Sequence, residues 1–253
     1  MIRCDGATPA HRGATGETGG RQNAGMLPQA VLFEEAPAPR DGLAILLLDS
    51  PRGRIEYRPG FIDAAQARGW FERLRDEIPW AAQRRPMYDR VVDVPRLLAA
   101  FRLDDPRLHP VLHEAGGMLR SAVSTPFNAV GMNYYRDGRD SVAPHNDKLH
   151  EIAAGHPIAL LSLGSPRRMD IREKAQPRPA TTGLAPPPVD PRRKTLRIEL
   201  APGSLLLMDY ATQLHYDHGI PKVRTPVGPR ISLAFRVRPA GHVDRGHYAG
   251  TRG

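Results

Sequence analysis

Residues 230–237, which read R-I-S-L-A-F-R-V, alternate without interruption between large apolar side chains and small or basic ones. Because successive side chains of a β-strand point to opposite faces, this pattern predicts a strand with one apolar face and one face that carries two arginines. The apolar face holds Ile231, Leu233, Phe235 and Val237, and the other face holds Arg230, Ser232, Ala234 and Arg236.

The two arginines of this strand could hold a small dicarboxylate. Arg230 and Arg236 are six residues apart, so their Cα atoms lie about 20 Å apart at about 3.3 Å per residue, and each side chain can fold back toward the middle. The planar guanidinium binds a carboxylate through two parallel hydrogen bonds, so one arginine can serve each end of the ligand. An edge strand with two solvated arginines would show the same pattern.

A second motif, A-P-H-N-D at residues 143–147, places a histidine and a carboxylate two positions apart on an extended segment. His145 and Asp147 therefore point the same way. If a second histidine arrives from a distant strand, three ligands can cap one face of an iron(II) ion and leave the other face open, as in non-haem oxygenases. On its own, the pair is more typical of surface polar residues than of a metal site.

The preferred third ligand is His218, because Gly219, Ile220 and Pro221 fix a turn just after it. His215 lies three residues earlier and is the rival, which we expect to be exposed or to support a ligand. The single cysteine of the 253 residues, Cys4, excludes a thiolate cluster. Any metal must therefore be held by histidine and carboxylate oxygen.

Composition sets the broad class of the protein. No run approaches about 18 apolar residues and the N-terminus lacks an apolar signal region, so we expect a soluble, cytoplasmic monomer that does not enter a membrane. The formal charge is +9, and residues 167–197 hold nine basic and three acidic residues, a local net charge of +6. Such a stretch favours a polyanion, most commonly nucleic acid. A solvated basic face is the alternative.

Three segments are predicted along the chain. Residues 1–25 have too little apolar content to bury and are expected to be disordered, although translation could start at Met1 or Met26. Residues 26–240 are expected to form one domain, and residues 241–253 a flexible tail. Within the domain, residues 174–192 hold six prolines and are expected to form a loop of polyproline character.

The hydrophobic pattern predicts a mainly β fold with helices confined to its first half. A helix capped by Asp63 runs to about Glu77 with Trp70 buried, a second runs from Pro110 to near Ser124, and residues 84–93 form a loop or short hairpin. Strands are expected at residues 44–48, 54–57, 128–135, 141–147, 157–163, 167–172, 196–200, 204–208 and 230–237. The strand at 167–172 is expected to pair with the strand at 157–163. A sandwich or jelly-roll barrel with flanking helices fits this order.

Five motifs together resemble the AlkB family of iron(II) and 2-oxoglutarate-dependent dioxygenases, of the nucleic-acid dealkylase type, over residues 80–240. They are N-x-Y (Asn133, Tyr135), H-x-D (His145, Asp147), S-L-G (162–164), H-G-I-P (218–221) and R-x-S-L-x-F-R (230–236). The resemblance implies an α+β fold around a double-stranded β-helix, the jelly-roll core. It implies that His145, Asp147 and His218 bind Fe(II). It also implies that Asn133, Tyr135, Arg230 and Arg236 hold 2-oxoglutarate, with Ser232 standing where many relatives have asparagine.

The activity that the resemblance implies is oxidative demethylation of N-alkylated bases, such as 1-methyladenine or 3-methylcytosine, in DNA or RNA. The reaction consumes O2 and releases formaldehyde, succinate and CO2. Met87 and Tyr88 are predicted to form part of a lid over the base, and Arg168 to contact the substrate. An acidic residue that often contacts the base in relatives is shifted or absent here, where the sequence reads K-L-H-E at 148–151. A hydroxylase of a protein or small molecule and a non-catalytic nucleic-acid-binding module are the alternatives.

Overall fold

A computed structural model describes residues 43–87, 90–174 and 195–241, all within one compact unit. The elements in these ranges are β1 (Ile45–Ser50), β2 (Gly53–Arg58), α1 (Ala64–Glu77), β3 (Ala81–Met87), β4 (Arg90–Arg102), α2 (Pro110–Val123), β5 (Ala129–Tyr135), β6 (Val142–His145), β7 (Ile158–Gly164), β8 (Arg167–Glu173), β9 (Thr195–Leu200), β10 (Leu205–Met208), α3 (Tyr210–His215), β11 (Tyr216–Ile220) and β12 (Arg230–Arg236). A 3-10 turn spans Leu149–Glu151.

The strands form two antiparallel sheets. The large sheet has the order β1-β2-β10-β7-β12-β5-β4-β3, and the small sheet has the order β6-β11-β8-β9. One apolar cluster joins residues of both sheets, among them Leu160 and Leu206 of the large sheet and Ile171 and Ile198 of the small one. The sheets therefore face each other across a shared core, as the jelly-roll prediction requires.

A second apolar cluster lies on the other face of the large sheet, where α1 and α2 pack. Asp63 caps α1 by accepting a hydrogen bond from the Gln66 amide at 2.8 Å, which satisfies one of the orphan donors of the first turn. Trp70 and Leu74 lie on the inward face of that helix and are buried. The predicted cap and the buried Trp70 are both confirmed. None of the helices in the described ranges is long and apolar enough to cross a membrane.

β12 lies between β7 and β5 and is paired on both sides. Its apolar face, with Ile231, Leu233 and Phe235, joins the cluster under the helices. Ala234 on its other face joins the core between the sheets. The predicted alternation is confirmed, and the edge-strand alternative is wrong because both edges of the strand carry ladder partners.

The predicted pairing of residues 157–163 with 167–172 is wrong. β7 pairs with β10 and β12, whereas β8 lies in the small sheet between β11 and β9. Gly164, at φ +81°, and Pro166 turn the chain from one sheet to the other rather than closing a hairpin. A strand with two occupied edges has no ladder left for its sequence neighbour.

Of the loop and the short hairpin expected at residues 84–93, the hairpin is confirmed, because residues 84–87 of β3 pair antiparallel with residues 90–93 of β4. β4 then continues to Arg102 as a long strand that the sequence pattern did not indicate. One further expectation needs correction. The helix α3 lies in the second half of the chain, where no helix was predicted. The expected N-terminal and C-terminal segments and most of the proline-rich loop lie outside the described residues.

Candidate active site

The pairing of β6 with β11 places two histidines side by side. His145 is the direct partner of His218 in the ladder, and the centres of the two rings are 4.5 Å apart. Asp147 follows β6, and one ligand atom from each of the three residues lies within 4.8 Å of the others. The structure thus brings the predicted triad together, and His215, at the end of α3, is not part of this group.

The orientation of His145 suits metal binding. Its Nδ1 lies 3.0 Å from the carbonyl oxygen of Ala143, which can only accept, so Nδ1 is the donor and, in the neutral ring, Nε2 has the lone pair for a metal. His145 is exposed, whereas His218 is 8% exposed. The triad is therefore open to solvent on the His145 side and closed on the other.

Asp147 is held at both its side chain and its backbone. Nε of Arg236 donates to Oδ2 of Asp147 at 2.6 Å, and the backbone N–H of Asp147 donates to Oε1 of Gln213 at 3.0 Å. Burial alone would raise the pKa of Asp147, but the Arg236 guanidinium and the two histidines hold it well below its usual range. The carboxylate is therefore ionised and fixed in direction.

His218 is neutral at physiological pH. Burial lowers its pKa to about 4, and the neighbouring His145 adds to the effect, while Asp147 opposes it. A neutral imidazole has a lone pair to offer a metal. With an ionised Asp147 beside it, the donor set is two nitrogens and one carboxylate, which matches the facial set of non-haem iron sites.

A polar row crosses three strands of the large sheet on its inner face. Ser232 of β12 pairs with Asn133 of β5 on one side and with Ser162 of β7 on the other. Asn133 donates to Ser232 Oγ at 3.4 Å and accepts from Nε of Arg96 at 2.7 Å. These residues place hydroxyl and amide groups between the two sheets, on the same face of β12 as both arginines.

Arg230 is fully buried at the end of this row. Its Nη2 donates to Ser162 Oγ at 2.9 Å, but Nε and Nη1 are buried without a hydrogen-bond partner. Tyr135, its direct neighbour on β5, is 2% exposed. A buried guanidinium with two unused donors is costly unless an anion satisfies it, so the site is suited to a carboxylate.

Arg167 was counted as part of the basic surface stretch, but it is buried. Its side chain lies on the same face of β8 as Met169 and Ile171, and its Cζ lies 5.7 Å from the centre of the Tyr135 ring. The alternation of β8 could have indicated this, since Arg167 occupies the inward register.

Among the described residues, the outward face of the small sheet carries balanced charge rather than a basic patch. Each basic residue there faces an acidic one across the ladder: Arg168 and Glu199, Asp170 and Arg197, Arg172 and Asp217. Arg168 also pairs with Asp170 at 2.8 Å. Ile171 is the ladder partner of His218, and the positions flanking it face away. The structure therefore does not bring Arg168 together with the triad.

The backbone of Met87, one of the two predicted lid residues, lies at the end of β3. Met87 is the last residue of β3 and pairs with Arg90. The side chain of Met87 and the whole of Tyr88 lie outside the described residues, so their predicted contact with a base stays a prediction.

Glu151 is the acidic residue nearest after the H-x-D motif. Its carboxylate accepts from Lys148 Nζ at 2.8 Å and from Arg238 Nη1 at 2.9 Å. Burial alone would raise the pKa of Glu151, but these hydrogen bonds lower that pKa to about 2. Glu151 is thus engaged in holding the turn.

Sequence reasoning missed several residues that support the site. Gln213 is 1% exposed and holds the backbone of Asp147 from 66 residues away. A Cβ added at Gly131 would lie 3.1 Å from Nη1 of Arg236, so the glycine leaves room for that guanidinium. Arg96 orients Asn133. No local signal marks these roles, because each contact joins positions that only the fold brings together.

Comparison with known proteins agrees with this geometry. Residues 107–236 match the family described as the 2OG-Fe(II) oxygenase superfamily. The mouse protein named alpha-ketoglutarate-dependent dioxygenase alkB homolog 3 is 32% identical over 252 residues, which cover 91% of this chain and 84% of that protein. The human protein of that name is 31% identical over 231 residues, which cover 83% of this chain and 76% of that protein.

A third relative, bovine DNA oxidative demethylase ALKBH2, is 35% identical over 127 residues, or 50% of this chain and 43% of that protein. Among solved structures, the non-haem alpha-ketoglutarate-dependent epimerase SnoN from nogalamycin biosynthesis matches with a TM-score of 0.50 at 16% identity, covering 80% of this chain and 87% of that one. This last likeness concerns the fold alone.

Proposed function

This chain belongs to the AlkB family of the 2OG-Fe(II) oxygenase superfamily, and on that premise we propose that it oxidatively demethylates N-alkylated bases in DNA or RNA. It is an oxidoreductase that uses Fe(II), 2-oxoglutarate and O2. The observation that carries the proposal is a His-Asp-His triad at the small sheet together with a buried arginine of the large sheet, two of whose nitrogens have no hydrogen-bond partner.

We assign the metal to His145, Asp147 and His218. When bound, iron and 2-oxoglutarate would supply the oxidation of a C–H bond by O2, with succinate and CO2 as co-products. The residues of the chain supply position and charge. Asp147 stays ionised through Arg236, His145 keeps Nε2 available through Ala143, and buried His218 stays neutral.

We assign the distal carboxylate of 2-oxoglutarate to Arg230. Its Nε and Nη1 each carry an N–H without a partner, which can donate to a carboxylate oxygen, and Nη2 donates to Ser162. Tyr135, Asn133 and Ser232 share this face of the sheet and can donate further hydrogen bonds to the co-substrate. Arg236 lies beside Asp147, where its charge favours the anionic end of the co-substrate near the metal.

Nucleic acid is the proposed substrate class. A relative at 35% identity is named a DNA oxidative demethylase, and the chain carries a net charge of +9, which favours a polyanion. Oxidation of an N-methyl group gives an N-hydroxymethyl base, whose C–N bond breaks to release formaldehyde and the unmodified base. A base inside a duplex must be flipped out or unpaired to reach such a site.

Formaldehyde release tests this function. We expect the full chain, supplied with Fe(II) and 2-oxoglutarate, to release formaldehyde from an oligonucleotide that carries 1-methyladenine or 3-methylcytosine. The variant His145→Ala removes a metal ligand and should abolish release. The control variant His113→Ala, at an exposed position of α2, should leave it unchanged. An enzyme that binds iron and 2-oxoglutarate but turns over no methylated oligonucleotide would overturn the nucleic-acid assignment.

A further inference from the structure

Arg167 is a buried cation that forms no ion pair with a carboxylate of the described residues. It is 2% exposed, and its terminal nitrogens donate to the backbone carbonyl oxygens of Asp137 at 3.0 Å, Asp140 at 2.9 Å and Pro221 at 2.8 Å. Its Nε is buried with no partner. Within the described residues, no carboxylate forms an ion pair with it. Three carbonyl oxygens solvate the guanidinium but do not neutralise it, and the carboxylates of Asp140, Asp137 and Glu199 attract it without forming an ion pair, so its burial is compensated only in part.

Arg167 and Arg230 lie at the same aromatic ring. The Cζ atoms of Arg167 and Arg230 are 5.7 Å and 5.3 Å from the centre of the Tyr135 ring. The ring attracts both guanidinium groups through its face. Arg230 also lacks an ion-pair partner among the described residues. Two positive charges therefore lie around the ring of Tyr135 among buried side chains.

The two charges oppose each other. Burial lowers the pKa of Arg167. Burial also lowers the pKa of Arg230, and repulsion from Arg167 lowers it further. Removing this repulsion would relieve the site, and so would an anion placed between or beside the two groups. An anion is the better match to the structure, because the donors of Arg230 that lack a partner can donate to a carboxylate.

We propose that Arg167 is a positioning residue of the co-substrate pocket, whose fixed charge strengthens binding of the distal carboxylate of 2-oxoglutarate at Arg230. The inference rests on the proposed assignment of that carboxylate to Arg230. Arg167 need not touch the co-substrate, because charge acts over several ångströms in a poorly solvated interior. The three carbonyl contacts hold the guanidinium in place without the co-substrate.

The consequence is selectivity for a dicarboxylate. A 2-oxo acid that lacks the distal carboxylate gains nothing from Arg167, whereas 2-oxoglutarate does. We expect the charge to contribute about tenfold to the affinity for 2-oxoglutarate, which corresponds to about 1.4 kcal/mol. The affinity for 2-oxopentanoate, which has the same five-carbon chain with a methyl group in place of the distal carboxylate, should not depend on Arg167.

Titration calorimetry of the full chain tests this, without O2 and with Mn(II) in place of iron. Arg167→Met and Arg167→Gln should weaken 2-oxoglutarate binding about tenfold and leave 2-oxopentanoate binding unchanged. Gln keeps an N–H donor for the carbonyl oxygens, so it serves if the Met variant does not fold. Arg167→Lys keeps the charge and should retain most of the selectivity. The matched control is Arg168→Met, at the adjacent exposed position on the outward face, which should change neither affinity.

Equal losses for both ligands, or no loss for either, would overturn the proposal, because a purely structural role for Arg167 does not distinguish the two acids. Mn(II) affinity, followed by electron paramagnetic resonance, should be the same in all variants. No nucleic acid is present in these titrations, so their outcome is separate from that of the demethylation assay.

Discussion

The contact between Arg236 and Asp147 decides what the triad can do. A carboxylate this buried would favour its protonated form, and a protonated carboxyl is a poor metal ligand. Arg236 reverses that preference from 2.6 Å away, and Gly131 leaves the space in which the guanidinium lies. The metal site therefore depends on a glycine and an arginine that do not bind the metal.

Enlarging residue 131 should disturb the metal site. In Gly131→Val, the added side chain meets Nη1 of Arg236, which a Cβ alone would approach to 3.1 Å. Overpacking of this kind costs about 1–3 kcal/mol, and displacement of Arg236 should weaken Mn(II) binding at least about tenfold. Electron paramagnetic resonance titration measures the affinity. The control Gly117→Ala, on α2 with open space around it, should leave Mn(II) binding intact; equal affinities in the two variants would contradict the role given to Gly131.

Gln213 should act on the metal through the backbone of Asp147. Gln213→Leu removes the acceptor of the Asp147 N–H and leaves that part-buried donor unpaired, at a cost of about 1 kcal/mol. We expect Mn(II) affinity to fall about tenfold, since partners that orient metal ligands have effects of that order. The same substitution at Gln66, at the start of α1, provides the control. Unchanged affinity in a folded Gln213→Leu protein would show that Asp147 is held without Gln213.

At the scale of elements, the sites are made by strands that are distant in the sequence. β6 and β11 supply the histidines, and β5, β7 and β12 supply the polar row. The turn Leu149–Glu151, just after Asp147, is tied to the end of β12 by the contact of Glu151 with Arg238. This tie fixes the position at which the chain leaves the metal site.

The stabilisation from the contact between Glu151 and Arg238 should depend on pH. The pKa of Glu151 is about 2 in the folded protein and about 4.3 when unfolded. The depressed pKa means that the stabilisation is fully present above about pH 4.5 and is lost as the pH falls toward 2. Glu151→Gln should lower the free energy of unfolding by about 1 kcal/mol at pH 7, and by less below pH about 4.

Urea denaturation of wild type and variant across this pH range measures the difference. Glu72→Gln, at an exposed position on α1, is the matched control and should show little effect at any pH. A difference between wild type and Glu151→Gln that stays constant from pH 7 to pH 3 would contradict the assignment.

The sequence predicts elements better than their pairing. Alternation identified β12 and β9, and the cap at Asp63 located α1, because those signals are local. The pairing of β7 with β10 and β12 is not local: Leu161 meets Leu205 on one side and Leu233 on the other. Nothing in residues 164–166 distinguishes a hairpin from a passage between sheets, so the hairpin prediction failed. The helix α3 was missed because its six residues are too few to show a repeated apolar pattern of helical period.

At the scale of the whole molecule, two sheets enclose the chemistry and two helices support the large sheet from outside. The motifs indicated the triad and the arginines of β12, because residue type and spacing carry that chemistry. They did not indicate Gln213, Arg96 or Arg167, whose roles come from contacts across the fold. The basic stretch was misread in part, since Arg167 is buried and the outward face of the small sheet is balanced in charge.

The central claim is that this jelly roll couples oxidation of 2-oxoglutarate to demethylation of a base, and a product ratio tests it most directly. With Fe(II), O2 and a single-stranded oligonucleotide that carries 3-methylcytosine, succinate and formaldehyde should form in equal amounts, and both should disappear in His145→Ala. Succinate that forms at the same rate with methylated and unmethylated oligonucleotide, without formaldehyde, would contradict the claim and leave an oxygenase with another substrate.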